Sequence, residues 1–181
     1  MPMFRGLVVA SAVGADKVHM DFWNGSVGDV LVRSLKVFPV RSVAVSGVLA
    51  ARLLLQRTTT VGTGGTAATA ESTSLTAPTL AAFDAEKGLS IPSGISMRAA
   101  PSGGAAAGAL VALREMFMEE TAAYADMQEY LTAPYVDKGL VVHNDSGLRL
   151  IQSSVATVGA FHIELEFETG VLLPSRQRQN G

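Results

Sequence analysis

Four ionisable side chains alternate with apolar ones in the stretch FHIELEFE, at positions His162, Glu164, Glu166 and Glu168. Neighbours on one face of a strand lie roughly 6.5 to 7 Å apart, so two of these carboxylates share a large cation only where an adjacent strand supplies further ligands. A zinc site needs a nearby cluster of His or Cys, and the chain has no Cys and only 3 His. We therefore expect a solvated or partner-facing row with no metal and no acid–base role.

The same alternation assigns the two faces of this stretch. Successive side chains of a strand point to opposite faces of a sheet, so Phe161, Ile163, Leu165 and Phe167 are expected to face a core. Like charges on the other face repel one another unless a cation lies on a neighbouring strand. The candidates for this role are Arg52 and Arg149.

Two further groups of residues have the composition of a binding site. Asp137, His143 and Asp145 have the types of metal ligands, but the sequence Asn-Asp-Ser-Gly around Asp145 is ordinary turn chemistry. The stretch GTGGT, residues 62–66, has the glycines that let backbone amides approach a phosphate. It lacks a Gly-Lys-Ser/Thr ending, and no helix is predicted after it whose N-terminus would hold the phosphate. We interpret both groups as turns.

Motifs of the common enzyme classes are absent from the sequence. It contains no Gly-x-Ser-x-Gly elbow, no His-Glu-x-x-His and no dinucleotide-binding fingerprint between a strand and a helix. Its 3 His leave few candidates for a general base near neutral pH. We therefore predict no catalytic residue, no metal ligand and no cofactor.

Composition indicates one domain whose exterior is covered by other subunits. A chain of 181 residues is long enough for a single domain that buries about 70% of its unfolded surface. Charged residues make up 17%, against roughly 25% in an average soluble domain, and interface cores are depleted of Lys, Glu and Asp. We therefore predict a homo-oligomer, a dimer or a trimer.

Charge and hydropathy also bear on partners. The net charge is −2 and no run is rich in Lys and Arg, which argues against direct binding of nucleic acid. No stretch approaches the roughly 18 apolar residues of a membrane span, so we expect a soluble protein with no membrane partner. Arg5 and the following GLVVASAVGA imitate a short signal peptide, and we interpret the stretch as a first strand.

Turn residues divide most of the chain into short strands. Residues 30–57 are predicted to form three strands with breaks at Pro39 and Gly47. Residues 58–78 are expected to form a long loop, or a Thr-rich edge strand that runs into a loop. Two short alternating pieces are predicted around residues 89–91 and 95–97.

One segment has helical periodicity, and the strand pattern returns after it. Between residues 110 and 131 apolar side chains recur at three- and four-residue steps, which predicts a short helix over about 119–131. The stretch GLVVHNDSGLRLIQ predicts a strand, a turn at residues 144–147 and a second strand. FHIELEFE is expected to close the sheet.

Three of these stretches form a larger pattern: RLLLQRTTTVGTGGT, then REMFMEET, then GLVVHNDSGLRLIQSSVATVGAFHIELEFE. With their Arg-x-Thr, Gly-Gly-Thr and Glu-Glu-Thr elements, a hairpin ending Gly-Leu-x-Leu-x-Gln and a last alternating strand, they resemble small virion proteins of tailed phages over roughly residues 45–168. Residues 122–135 depart from this pattern. The resemblance implies a capsid decoration (cement) protein, a β-sandwich or jelly-roll module that sits as a dimer or trimer on the outside of a capsid shell.

We therefore expect a mainly β protein: a β-sandwich or jelly-roll-like single domain over residues 1–170 with long loops, then a polar tail over 171–181. Its expected function is that of a virion structural protein, a capsid decoration protein that contacts itself and the major capsid protein on the capsid exterior after assembly in the host cytoplasm. A head-to-tail or tail structural protein is one alternative. A cupin-like or carbohydrate-active β-sandwich enzyme is another, and it needs its His and Glu residues gathered in a cavity.

Partner-facing residues are expected in the acidic row and in the C-terminal tail. The tail is too short to bury a core of its own, yet it holds apolar residues that gain from burial against a neighbour. The candidate partner-facing residues are His162, Glu164, Glu166, Glu168, Leu172, Leu173, Arg176 and Arg178.

Overall fold

The computed structural model is a sandwich of two antiparallel β-sheets. The residues that it describes form strands and turns with no helix, which confirms the mainly β prediction. The structure describes residues 3–11, 17–25, 28–39, 49–69, 78–82, 91–102, 106–118, 128–129, 139–153 and 161–171.

The strands are numbered in chain order over these described residues. They are β1 (Met3–Ser11), β2 (Val18–Asn24), β3 (Asp29–Pro39), β4 (Leu49–Thr58), β5 (Thr66–Ala67), β6 (Thr79–Ala82), β7 (Ile95–Ala99), β8 (Ala107–Met118), β9 (Gln128–Glu129), β10 (Leu140–Val142), β11 (Ser146–Ser153) and β12 (Phe161–Val171).

The strands form two six-stranded sheets. Sheet A has the order β10-β3-β12-β1-β6, with β9 paired to β3, and sheet B has the order β5-β7-β2-β11-β4-β8. The strand pairs within both sheets are antiparallel. The last strand, β12, lies in the middle of sheet A between β3 and β1, so the expectation that it closes the sheet was wrong.

The core lies between the two sheets and follows the alternation of β12. Phe161, Ile163, Leu165 and Phe167 are all fully buried, as predicted. The ring of Phe167 stacks on Phe4 of β1 at a centroid distance of 5.5 Å, and it meets Phe22 of sheet B at 5.0 Å. These rings fill the space between the sheets.

Hydrogen bonds join the two sheets at both sides of the sandwich. On one side, Thr69 follows β5 of sheet B and pairs with Thr79 of sheet A, where Leu80 N–H donates to Thr69 O at 2.9 Å. On the other side, Asn24 Nδ2 of sheet B donates to Val142 O of β10 at 2.9 Å. Arg57 Nη1 donates to the neighbouring carbonyl of Val141 at 2.8 Å.

Several predicted strands are confirmed. β3 ends at Pro39, and β4 buries Leu53 and Leu55 while Leu54 lies on the other face. The middle of the three strands predicted in residues 30–57 lies outside the described residues. β7 confirms the alternating piece at residues 95–97, and β5 is a Thr-containing edge strand after a loop. Ile91 is described and lies outside any strand.

The helix-like periodicity that begins at residue 110 does not correspond to a helix over residues 110–118, because they belong to the strand β8. Leu54 lies opposite Leu113 and Gln56 lies opposite Leu110, so two steps along β4 correspond to three along β8. The register shift inserts one extra residue, a β-bulge, and gives the strand a helix-like three-residue spacing. Of the helix predicted over 119–131, only Gln128 and Glu129 are described, and they pair with β3 as a short strand. The rest lies outside the described residues.

The strand, turn and strand predicted after residue 138 are confirmed, but the hairpin was wrong. β10 pairs with β3 in sheet A, whereas β11 pairs with β2 and β4 in sheet B. The turn between them therefore carries the chain from one sheet to the other. Asp145 takes a positive φ of 53° at this turn, and its N–H donates to Asn24 O at 2.8 Å. Asp tolerates this left-handed conformation better than most residues.

Candidate functional site

The acidic row lies on the outer face of sheet A, as the alternation of β12 predicted. Arg33 Nη2 donates to Glu168 Oε2 at 2.9 Å, and Lys36 Nζ lies 3.9 Å from Glu166 Oε1. Both cations belong to β3, which pairs with β12 along its length. Glu166 and Glu168 therefore form a ladder of paired charges with Lys36 and Arg33 across two neighbouring strands.

The predicted partners of this row, Arg52 and Arg149, lie in sheet B, so that prediction was wrong. Arg52 Nη2 lies 2.6 Å from Glu115 Oε1 of β8. Arg149 donates to Gln56 Oε1 of β4 from Nε at 3.0 Å and from Nη2 at 2.8 Å. The sequence indicates which side chains leave the core but not which strand lies beside which.

The three histidines lie in different parts of the structure. His19 is fully buried in the core, His143 is exposed at the turn before β11, and His162 lies on the outer face of sheet A. His143 Nδ1 lies 2.9 Å from Asp29 Oδ1. Within the described ranges, no three His, Asp or Glu side chains lie close enough to hold a metal ion. Asp137 of the suggested cluster lies outside those ranges.

One polar pair lies inside the core. His19 Nε2–H donates to Gln152 Oε1 at 3.2 Å, and the imidazole ring meets Phe161 edge-on at 5.1 Å. The pair joins β2 and β11 of sheet B, and both side chains are fully buried. The contact pairs one polar atom of each side chain, whereas Gln152 Nε2 is buried and has no hydrogen-bond partner among the described residues. The pair presents no group to solvent.

A second polar cluster crosses the outer face of sheet B. Its members are directly opposite one another on four neighbouring strands: Gln56 on β4, Arg149 on β11, Asp21 on β2 and Arg98 on β7. We call these four side chains the polar row. Asp21 is only 1% exposed, although it points away from the core on a strand whose neighbours Met20 and Phe22 are buried in it.

A loop of residues 59–65, which we call the strap, covers the polar row at Asp21 and Arg98. Gly62 N–H donates to Asp21 Oδ2 at 2.8 Å, and Arg98 Nη1 donates to Gly64 O at 3.1 Å. A Cβ at residue 62 would lie 2.7 Å from Asp21 Oδ2, so the approach requires glycine. The GTGGT stretch therefore brings a backbone amide to an anion, and that anion is a carboxylate of the same chain.

Burial dominates the protonation of Asp21. Burial raises the pKa of its carboxyl group above the ordinary value, against the lowering effects of the Gly62 amide, Arg98 and Arg149. Its Oδ1 atom is buried and accepts no hydrogen bond from the described residues. Sequence reasoning missed this site. The available signal was an ionisable residue inside the apolar strand VHMDFWN, together with a glycine-rich loop to cover it.

The half of sheet B that the strap does not cover has an apolar surface. Leu113 of β8, Leu54 of β4 and Ile151 of β11 lie side by side and form what we call the apolar row. Leu110 and Leu113 are 55% and 41% exposed. The ion pair of Arg52 and Glu115 lies beside the row, with side chains 49% and 41% exposed. We call the outward side chains of β4 and β8 the open half of sheet B.

The predicted partner-facing residues of the tail, Leu172, Leu173, Arg176 and Arg178, lie outside the described residues, so their role stays a prediction. Within the part of the chain that is described, no helix is long and apolar enough to cross a membrane. No family model, no curated protein and no solved structure matches this chain.

Proposed function

We propose that the protein is a structural component of a tailed-phage virion, specifically a capsid decoration protein that binds the outside of the head. The observation that supports this most is the open half of sheet B, with Leu110 and Leu113 at 55% and 41% exposure. Exposed apolar side chains rimmed by polar ones are typical of surfaces that contact other proteins. The functional partners in this proposal are the major capsid protein and further copies of the chain.

Two other considerations favour a role in assembly. The two-sheet fold agrees with the module that the resemblance to decoration proteins implies, although such a fold hosts many functions. The low charge of 17% also suits a chain whose surface is buried by neighbours.

The alternative functions remain distinguishable by experiment. A head-to-tail or tail protein has the same kind of surface but a much lower copy number per particle. A cupin-like or carbohydrate-active enzyme receives less support from the geometry, because His19 is in the core, His143 is at a turn and Glu164, Glu166 and Glu168 face away from the core.

The test is the stoichiometry of the protein in purified virions, measured by mass spectrometry with isotope-labelled peptide standards. A decoration protein is expected in a fixed ratio of the same order as the major capsid protein. A few copies per particle would favour the head-to-tail or tail alternative. Absence from virions would overturn the proposal. Purified protein added to undecorated heads is further expected to bind them and to raise the temperature at which they release their DNA.

A further inference from the structure

The outer face of sheet B is divided into two parts. The strap lies over the polar row on β2 and β7, and hydrogen bonds with Asp21 and Arg98 hold it there. The open half on β4 and β8 lies beyond it. Among the described residues, the part of this face that stays accessible to a partner is the surface of two neighbouring strands, which we call the seat.

That seat is complementary to itself. Three outward pairs of β4 and β8 lie opposite each other: Arg52 with Glu115, Leu54 with Leu113, and Gln56 with Leu110. In each pair, one side chain suits the other as a contact: a cation meets an anion, a leucine meets a leucine, and an amide meets the edge of an apolar group. A rotation that exchanges β4 and β8 places each side chain of one copy over the same residue type that it faces within its own chain.

We propose that a second copy of this chain packs face to face on the open half of sheet B, around a two-fold axis that runs parallel to β4 and β8 and between them. This rotation places β4 of one copy over β8 of the other. Arg52 then lies over Glu115 of the second copy, and Leu54 lies over Leu113 of the second copy. The inference names an interface for the assembly role and rests on the proposed function.

The distances and charges of the seat suit this arrangement. Sheets that pack face to face lie about 10 Å apart, a gap that interdigitating leucine side chains fill. Arg52 and Glu115 are already paired within one chain at 2.6 Å, so two copies form a ring of four alternating charges beside the apolar row. An interface about a two-fold axis uses the same patch twice, and this patch carries both signs of charge.

The charge arrangement gives a sharp test by mixing two variants. In Arg52→Glu, every charge at the ring is negative, and in Glu115→Arg every charge is positive, so each variant repels itself. A mixed pair recovers both contacts across the interface, because Glu at position 52 meets Arg at position 115 and Glu115 meets Arg52. Both variants lose the Arg52–Glu115 pair within one chain, so loss of that pair alone does not distinguish them.

Association is measured by sedimentation equilibrium at micromolar concentration, with thermal unfolding as the check that each variant is folded. We expect the wild type to be dimeric, each variant to dimerise at least about tenfold more weakly, and the equimolar mixture to return close to wild-type affinity. The matched control is Glu164→Arg on the outer face of sheet A, which is expected to leave the dimer unchanged.

Three outcomes would overturn the interface: a monomeric wild type, a mixture no tighter than the single variants, or a Glu164→Arg variant as weak as Arg52→Glu. The stoichiometry in virions separates this failure from failure of the proposed function. If the protein is abundant in virions but monomeric in solution, only the proposed dimer interface is overturned. If it dimerises as described but is absent from virions, only the proposed virion role is overturned.

Discussion

The outer faces of the two sheets differ in what the side chains that point away from the core contact. On sheet A, Glu168 and Glu166 of the acidic row are paired with Arg33 and Lys36 of the adjacent strand. On sheet B, half of the outer face is covered by the strap and the other half holds the apolar row. Two of the outward carboxylates of sheet A have cationic partners, whereas sheet B exposes the side chains of Leu110 and Leu113. The proposed interface therefore lies on the apolar row rather than on the acidic row.

The largest expected effect tests whether the inner and outer positions of β12 differ as described. Phe167→Ala removes a ring that meets both Phe4 and Phe22, and it is expected to lower the free energy of unfolding by about 3–5 kcal/mol. Glu166→Gln, one position away on the outer face, is expected to cost less than about 1 kcal/mol. Chemical denaturation of both variants gives the comparison, and Phe167→Leu supplies a milder core change if the alanine variant does not fold. Equal costs would contradict the assignment of faces.

The strap can be broken by one methyl group. Gly62→Ala places a Cβ against the Asp21 carboxylate, so the strap must move and the buried anion loses the amide that donates to it. We expect the free energy of unfolding to fall by about 1–3 kcal/mol. Thr63→Ala, at the next and exposed position of the same loop, is the control and is expected to change it by less than about 0.5 kcal/mol. An equally stable Gly62→Ala variant would show that the strap does not depend on this contact.

Alternation of apolar and polar residues in the sequence predicted which faces of several strands are buried. It did not predict which strands lie side by side, because that depends on residues far apart along the chain. The faces of β12 and β4 follow from residues such as Phe167 and Leu53, because period-2 patterns report burial directly. The order of strands does not follow from any local pattern, so Arg52 and Arg149 were assigned to the wrong sheet. The bulge in β8 shifted Leu110 and Leu113 to a helix-like spacing. The site at Asp21 depends on a contact with Gly62, 41 residues away along the chain. A local sequence pattern does not predict a contact over that separation.

The pH dependence of stability distinguishes the buried carboxylate Asp21 under the strap from the ion-paired carboxylates on sheet A. Because burial raises the pKa of Asp21, the folded chain binds a proton at this site more readily than the unfolded chain does. The contribution of Asp21 to the free energy of unfolding therefore increases as the pH falls through the raised pKa, and the gain is complete below the unfolded value of about 3.9. The free energies of unfolding of the wild type and Asp21→Asn are measured side by side from neutral pH downward. As the pH falls, the free energy of unfolding of the wild type should rise relative to that of the variant. A fall relative to the variant would contradict the direction of the pKa shift.

The smallest expected effect concerns the ladder of charges on sheet A. Glu168→Gln removes the ionic part of the contact with Arg33 at 2.9 Å, and it is expected to cost no more than about 1 kcal/mol, less at high salt. Denaturation at low and high salt measures both the size and the screening. An effect as large as that of Gly62→Ala would mean that sheet A depends on its outer charges.

The most direct test of the proposed interface is hydroxyl-radical footprinting of the purified protein at low and at high concentration, because it measures the exposure of individual side chains. The proposed interface predicts that Leu110 and Leu113 become protected as the concentration rises. His162 of β12 and Phe38, which lies opposite it on β3, are partly exposed on the outer face of sheet A and are expected to keep their reactivity. Protection of Phe38 and His162 with Leu110 and Leu113 unchanged would contradict it, and would move the contact surface from sheet B to the acidic row.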